Sequence, residues 1–170
     1  MQTTIENLLR VRPEVFWQRL FFDAEYNDGL YRELGFEGYE VLELTRASDG
    51  RVRRVLRAAP PLSGPAVLKR TLKGRVYYTE DGTYDPARGS WEFVNHTSVA
   101  AGTTRVSGSI RAEEHPEGLS HVVVLDVSVT ALGLGGMIER TIVKSTRESY
   151  RVATAYTNAF AAARGLLHGT

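Results

Sequence analysis

Near residue 133 the hydrophobic pattern changes from strand-like alternation to a helical period, and this change constrains the fold more than any other feature. From Thr104 to Thr130 apolar residues alternate with polar ones, as they do in half-buried strands. From about Met137 to about Leu167 they recur every three or four residues, which is the spacing of one face of a long helix. A run of strands without intervening helices argues against a parallel, doubly wound sheet and favours an antiparallel α+β domain.

Two segments show the alternation most clearly, and their apolar faces predict the buried side of a sheet. The apolar positions are Val106, Ile110 and Ala112 in the first segment and Val123, Leu125, Val127 and Val129 in the second. Asp126, Ser128 and Thr130 lie on the opposite face of the second segment. One buried and one wetter face is typical of an antiparallel sheet.

The first half of the chain predicts a strand, two short helices and a hairpin. The strand covers TIENLLRV, and the helices cover RPEVFWQRLF and DAEYNDGLYRELG, the latter with Asp23 as N-cap and Gly35 just past its end. YEVLELTRA and RVRRVLRAA flank Asp49-Gly50, a strong hairpin signal. Later turns are predicted at Asp81-Gly82, Asp85-Pro86, Ala101-Gly102 and Pro116-Glu117-Gly118, and a helical turn at Ala66 to Leu72. No linker divides the sequence, so we expect a single domain over residues 1–170.

Composition excludes several classes of protein. The chain has 170 residues, 42% of them hydrophobic, a net charge of +1 and no cysteine. Disulfides, thiolate chemistry and finger-type zinc sites are therefore excluded. The polar N-terminal segment does not fit a signal peptide, and no stretch approaches the roughly 20 apolar residues that cross a bilayer. We expect a soluble, cytoplasmic protein.

The stretch LGLGGMIERTIV invites comparison with phosphate-binding loops. A Walker loop ends in Gly-Lys-Ser/Thr, but Met137 follows Gly136 here. The dinucleotide fingerprint needs a third glycine where this sequence has Ile138. We therefore interpret Gly133, Gly135 and Gly136 as the joint between the last strand and the long helix, with glycine needed for a positive φ angle or for close approach.

Basic residues are concentrated between Arg46 and Arg75, where nine of them accompany a single acidic residue, Asp49. Lys69, Arg70 and Lys73, together with neighbouring leucines, could contact an anionic membrane surface. The alternative is a solvated outer strand face, neutralised by Glu80, Asp81 and Glu92 on neighbouring strands. Nucleic acid is not expected as a partner, because aromatic residues are not interleaved with the basic ones.

Groups suited to catalysis are sparse. The four histidines, His96, His115, His121 and His168, show no spacing typical of metal ligands, and His96 is expected to face solvent. No serine lies in a nucleophile elbow. We predict no catalytic residue, no metal site and no cofactor. A catalytic alternative would need an inward-facing acid or base, such as Tyr78, Glu92, His96 or Asp126.

The order of elements resembles the START-like superfamily, also called SRPBCC or birch-pollen-allergen-like. The likeness covers essentially the whole chain and rests on FFDAEYNDGLYREL leading into GYEVLEL, the aromatic strand SWEFVNHT, and LGLGGMIERTI before the final helix. It is closest to a bacterial family of uncharacterised proteins, with some likeness to PRELI-like lipid-transfer proteins. The resemblance implies a helix-grip fold, in which a curved antiparallel sheet of about six to seven strands wraps around the C-terminal helix, with an apolar cavity between them.

This resemblance implies binding or transfer of a lipid or polyketide-like ligand without catalysis. A cyclase or aromatase on the same fold, or a filled-core protein-interaction module, are the alternatives. Small residues on the first half of the helix favour a cavity, which Trp91, Phe93, Tyr77 or Tyr78 could instead fill. The ligand is expected to contact Trp91, Phe93, Val106, Ile110, Val123, Leu125 and Val127 on the sheet and Ile138, Ile142, Ser145, Ser149 and Val152 on the helix.

Overall fold

The structure is a computed structural model that describes residues 1–61, 76–98, 101–130 and 133–169. Within these residues, an antiparallel sheet with the strand order β1-β7-β6-β5-β4-β3-β2 packs against three helical elements. In chain order the elements are β1 (Gln2–Leu9), α1 (Pro13–Val15) continuing into a π-helical turn (Phe16–Leu20), α2 (Ala24–Glu33), β2 (Gly38–Arg46), β3 (Val52–Ala59), β4 (Tyr78–Asp85), β5 (Ser90–Thr97), β6 (Thr104–His115), β7 (Gly118–Val129) and α3 (Gly135–Ala163). The predicted helix-grip α+β fold is confirmed.

Local sequence signals explain where α2 begins and ends. The carboxylate of Asp23 accepts a hydrogen bond of 2.8 Å from the backbone N–H of Tyr26, as an N-cap does. Just past the other end, Gly35 adopts a φ angle of +70°, which glycine tolerates best. Both boundaries agree with the sequence prediction.

The predicted turn at Asp81-Gly82 is wrong, because β4 continues through it from Tyr78 to Asp85. Gly82 is needed there for space. A Cβ atom at this position would lie 2.1 Å from Cζ2 of Trp91, whose ring covers the glycine. Trp91 is fully buried, and Phe21 and Phe22 pack against its ring with centroid distances of 5.2 and 5.7 Å. A glycine inside a strand here marks a close packing contact.

The joint before α3 has the predicted character. Gly133 has a φ angle of +74°, and a Cβ atom on Gly135 would lie 2.4 Å from the carbonyl oxygen of Val129. Beyond this joint, α3 packs against β1 and β7, and also against α2. The helix therefore lies nearest the β1–β7 end of the sheet, and a cavity remains between α3 and the sheet, with wall residues from each of the strands β3 to β7.

Two further findings concern the membrane. No helix in the described part of the chain is long and apolar enough to cross a bilayer. The predicted membrane contacts, Lys69, Arg70 and Lys73, lie outside the described residues, as does the predicted helical turn from Ala66 to Leu72.

Candidate ligand-binding cavity

A cavity of about 330 Å³ lies between the concave face of the sheet and the part of α3 from Ile138 to Thr157. This volume is within the range of small-molecule sites, about 300–1,000 Å³. Helix α2 contributes Leu30 and Tyr31 to the cavity wall. Pro61 and Val76, the described residues on either side of segment 62–75, also line the cavity. Helix, sheet and connecting segments therefore all shape the same space.

Most of the predicted contact residues border this cavity. From the sheet these are Phe93, Val106, Ile110 and Leu125, and from α3 they are Ile138, Ile142, Ser145 and Ser149. The small side chains of Ser145 and Ser149 leave room where larger residues would fill the space. That these residues contact a ligand stays a prediction.

Four predicted residues are placed elsewhere. Trp91, Val123 and Val127 lie in the packed core and do not border the cavity. The ring of Trp91 packs over Gly82 instead. Val152 is also outside the wall, because after Ser149 the inner face of α3 continues in steps of four through Ala153 and Thr157. Val152 was expected in the wall from a step of three after Ser149, and this step leads to the neighbouring face of the helix.

A buried ion pair lies in the wall and was not predicted as part of the site. The guanidinium of Arg54 on β3, only 5% exposed, donates a hydrogen bond of 3.2 Å to Oε1 of Glu80 on β4 and another of 2.9 Å to the carbonyl oxygen of Phe21. The guanidinium also stacks on Phe21 and Trp91, 4.6 and 5.0 Å from their ring centroids. Burial raises the pKa of Glu80, although Arg54 opposes this shift.

Tyrosines surround this ion pair. Tyr31 of α2 and Tyr78 of β4 hydrogen-bond to each other through their side chains, and Tyr150 approaches from α3. Tyr31 also stacks on Tyr39 of β2 with a centroid distance of 4.0 Å. Burial raises the pKa of Tyr31, Tyr78 and Tyr150, so all three hydroxyls stay protonated at neutral pH. One part of the wall is therefore rich in hydrogen-bonding groups.

His121 of β7 is the buried imidazole of the wall. Its ring packs against Phe16 and Tyr150, with centroid distances of 5.3 and 5.5 Å. Burial lowers the pKa of His121 to about 4, so the ring is neutral at neutral pH.

The predicted candidates for acid–base chemistry divide into two groups. Glu92, His96 and Asp126 are exposed, whereas Tyr78 borders the cavity. Sequence reasoning missed Arg54, Glu80 and His121 as wall residues. Strand parity could have found two of them, because Arg54 alternates in phase with Val52 and Leu56, and His121 with Val123 and Leu125.

Arg53, the neighbour of Arg54 on β3, faces outward. It matches the predicted alternative of a solvated strand face whose basic residues are neutralised by acidic ones. Arg53 donates hydrogen bonds of 3.1 and 2.8 Å to the two carboxylate oxygens of Asp81, and one of 2.7 Å to Glu43. The two adjacent arginines of β3 thus have different roles, one on each face of the sheet.

Comparison with family models matches residues 13–160 to the family described as Protein of unknown function (DUF2505). The chain belongs to the DUF2505 family. A search of curated proteins finds no match to this DUF2505 chain.

Solved structures similar to this DUF2505 chain share its fold at low sequence identity. TTHA0849 from Thermus thermophilus has a TM-score of 0.66 and 18% identity, covering 96% of this chain and 99% of that one. The Zhui aromatase/cyclase from a Streptomyces species has a TM-score of 0.63 and 16% identity, covering 92% of each chain. A START superfamily protein from Mycobacterium smegmatis has a TM-score of 0.62 and 16% identity, covering 94% and 97%. These structures confirm the fold that the START-like resemblance implied, whereas the likeness to PRELI-like proteins stays a prediction.

Proposed function

We propose that this protein binds an apolar small molecule in the cavity between the sheet and α3 and acts as a noncatalytic carrier or sensor. The observation that carries the proposal is the cavity itself, with aliphatic and aromatic residues over much of its wall and a polar cluster in one part of it. An apolar body would gain about 0.8 kcal/mol for each methylene removed from water. The polar cluster would fix its orientation.

The fold supports the same proposal. The START superfamily protein from Mycobacterium smegmatis shares this architecture over 94% of the chain, and this likeness is in keeping with the proposal. A filled-core interaction module fits less well, because the described residues leave a space of ligand size.

Two experiments test the carrier function. Native mass spectrometry of the purified protein, followed by organic extraction, should reveal an apolar compound that co-purifies or binds from a cellular lipid extract. In parallel, the neutral fluorescent probe N-phenyl-1-naphthylamine should bind the wild-type protein. The Ser149→Phe variant should lose this binding, because the phenyl ring occupies the cavity.

The matched control is Ala155→Phe, which places the same side chain on the exposed face of α3. This variant should bind the probe as the wild type does. Absence of any bound compound in both experiments, or equal probe binding by both variants, would exclude the cavity as a binding site.

An acid–base enzyme on the same fold is the second candidate, and one observation favours it. Glu80, whose pKa burial raises, and Tyr78 both border the cavity, and a carboxyl with a raised pKa is suited to proton transfer. Incubation with the co-purified compound distinguishes the two functions. A carrier leaves its mass and structure unchanged, whereas an enzyme converts it, and Glu80→Gln abolishes the conversion.

A further inference from the structure

The imidazole of His121 has no hydrogen-bond partner among the described residues. His121 is 5% exposed and lines the cavity from β7. Its ring is held by aromatic packing, with Phe16 and Tyr150 at centroid distances of 5.3 and 5.5 Å. Burial is the cause of its lowered pKa, and no hydrogen bond contributes to that shift. An unpaired buried imidazole is an exception that calls for an explanation, because most buried polar groups are paired.

The ring nitrogens of His121 remain accessible from the cavity. The described polar atoms that lack both a partner and accessible surface include Nε1 of Trp17 and Nε1 of Trp91, but no atom of His121. Since the ring is unpaired, its nitrogens keep accessible surface, and the space that His121 borders is the cavity. The hydroxyl of Tyr150, which also has no described partner, is accessible for the same reason. A molecule in the cavity can therefore reach both groups.

This part of the wall is separate from the buried ion pair. His121 lies on β7 and Glu80 on β4, three strands away in the sheet. The intervening strands β6 and β5 contribute apolar residues to the wall, among them Ile110 and Phe93. A ligand thus meets two polar regions at different places in the cavity.

The surroundings of His121 specify which ligand group it suits. Phe16 and Tyr150 contact its ring, Asn7 and Ala112 lie opposite it in the strand register, and none of the four carries a charge at neutral pH. With a pKa of about 4, His121 itself is charged in only about one molecule in a thousand at pH 7. A neutral imidazole offers one N–H donor and one acceptor nitrogen. It therefore suits an uncharged oxygen, whereas an anionic oxygen beside it would be buried without a cation.

We propose that the cavity binds an apolar molecule through a ketone or hydroxyl oxygen that accepts a hydrogen bond from the imidazole N–H of His121. This inference rests on the proposed function and names the ligand class and one polar contact of the same site. The part of the ligand that lies near Arg54 is not restricted by this contact.

Three probes test the contact by calorimetry with the full chain at neutral pH: 2-acetylnaphthalene, 2-isopropenylnaphthalene and 2-naphthoate. The first two have the same shape and differ only in a carbonyl oxygen against a methylene group. The ratio of their affinities therefore isolates the oxygen. His121→Phe should lower the ratio of ketone to hydrocarbon about fivefold, the equivalent of one net hydrogen bond of about 1 kcal/mol, and should still bind the hydrocarbon.

The matched control is His96→Phe, which makes the same substitution at an exposed histidine of β5. This variant should keep the wild-type ratio. A ratio that is unchanged in His121→Phe, or that falls equally in both variants, would refute the contact and leave the proposed function standing. Failure of all three probes to bind the wild type would count against both.

2-Naphthoate tests whether the oxygen beside His121 is uncharged. The wild type and His121→Phe should bind this carboxylate equally, because His121 supplies no cation. Tighter binding of 2-naphthoate than of the ketone, lost in His121→Phe, would place an anionic oxygen beside His121 and overturn the proposed ligand class.

A measurement on the wild type avoids the risk that His121→Phe does not fold. In protein with isotope-labelled histidine, nitrogen NMR follows the ring of His121, assigned through its contact with Phe16. The ketone should shift these ring resonances more than the hydrocarbon does, because the shielding of a ring nitrogen responds to its hydrogen bonds. Equal shifts with the two probes would refute the contact without any substitution.

Discussion

At the scale of single residues, the parity of a strand decides the environment of a charge more strongly than local composition does. Arg53 and Arg54 are adjacent in a basic segment, yet the first pairs with Asp81 in solvent and the second with Glu80 in the cavity wall. Counting charges along the sequence treats the two alike. Assigning them to the two faces of β3 separates a solvated arginine from a buried one.

His121 gives a prediction at this scale. Its pKa is lowered by burial from 6.5 to about 4, so the unfolded chain binds a proton more readily than the folded protein between these values. The contribution of neutral His121 to the free energy of unfolding is therefore fully present above pH 6.5 and is lost as the pH falls toward 4. Between pH 7 and pH 5 the loss should be about 2 kcal/mol.

Urea unfolding of the wild type and of His121→Phe at both pH values measures this loss. Phenylalanine suits a site packed against Phe16 and Tyr150 and cannot titrate. The difference between the two proteins isolates His121, since both retain Glu80, whose raised pKa acts in the opposite direction. Parallel stability curves for the two proteins would disprove the assigned role of His121.

At the scale of elements, strand β4 shows what glycine can mean inside a strand. Gly82→Ala should destabilise the protein by about 1–3 kcal/mol, the usual range for overpacking, because the added methyl meets the ring of Trp91. Gly38→Ala is the matched control, since Gly38 also lies in a strand and its nearest neighbour would be 3.9 Å away. Thermal unfolding of both variants tests this, and equal midpoints would contradict the packing argument.

The same strand shows where sequence reasoning succeeds and where it stops. Periodicity is a local property, so the alternation of β6 and β7, the N-cap at Asp23 and the glycine joint before α3 could all be predicted. Asp81-Gly82 is locally a turn signal, and only the distant ring of Trp91 explains why it lies in a strand.

The residues of the candidate site likewise include some that local patterns predicted and others that depend on tertiary packing. Residues such as Phe93 and Ser149 were predicted because an apolar strand face and a small-residue helix face each show in the sequence. The buried ion pair of Arg54 and Glu80 was not predicted, because it joins two strands and depends on how they pair. Val152 was assigned to the wall because a period of 3.6 allows steps of three or four, and only packing selects between them.

At the scale of the whole molecule, the cavity sets how binding and stability are linked. A compound that binds only the folded protein should raise its free energy of unfolding by about 2.7 kcal/mol at a concentration one hundred times its Kd. N-phenyl-1-naphthylamine should therefore raise the melting temperature of the wild type and leave that of Ser149→Phe unchanged. A rise of the same size in both would place the probe outside the cavity.

The position of α3 over β1 and β7 has a consequence for the free protein's internal motions. Strands β4, β5 and β7 all pair on both sides, but α3 packs against β7, whereas Tyr78 and Glu80 of β4 and Phe93 and Asn95 of β5 border the cavity. Amide hydrogens of β4 and β5 should therefore exchange with solvent through local openings that leave β7 intact. An occupant of the cavity would slow exchange in β4 and β5 and make the two halves of the sheet open as one unit.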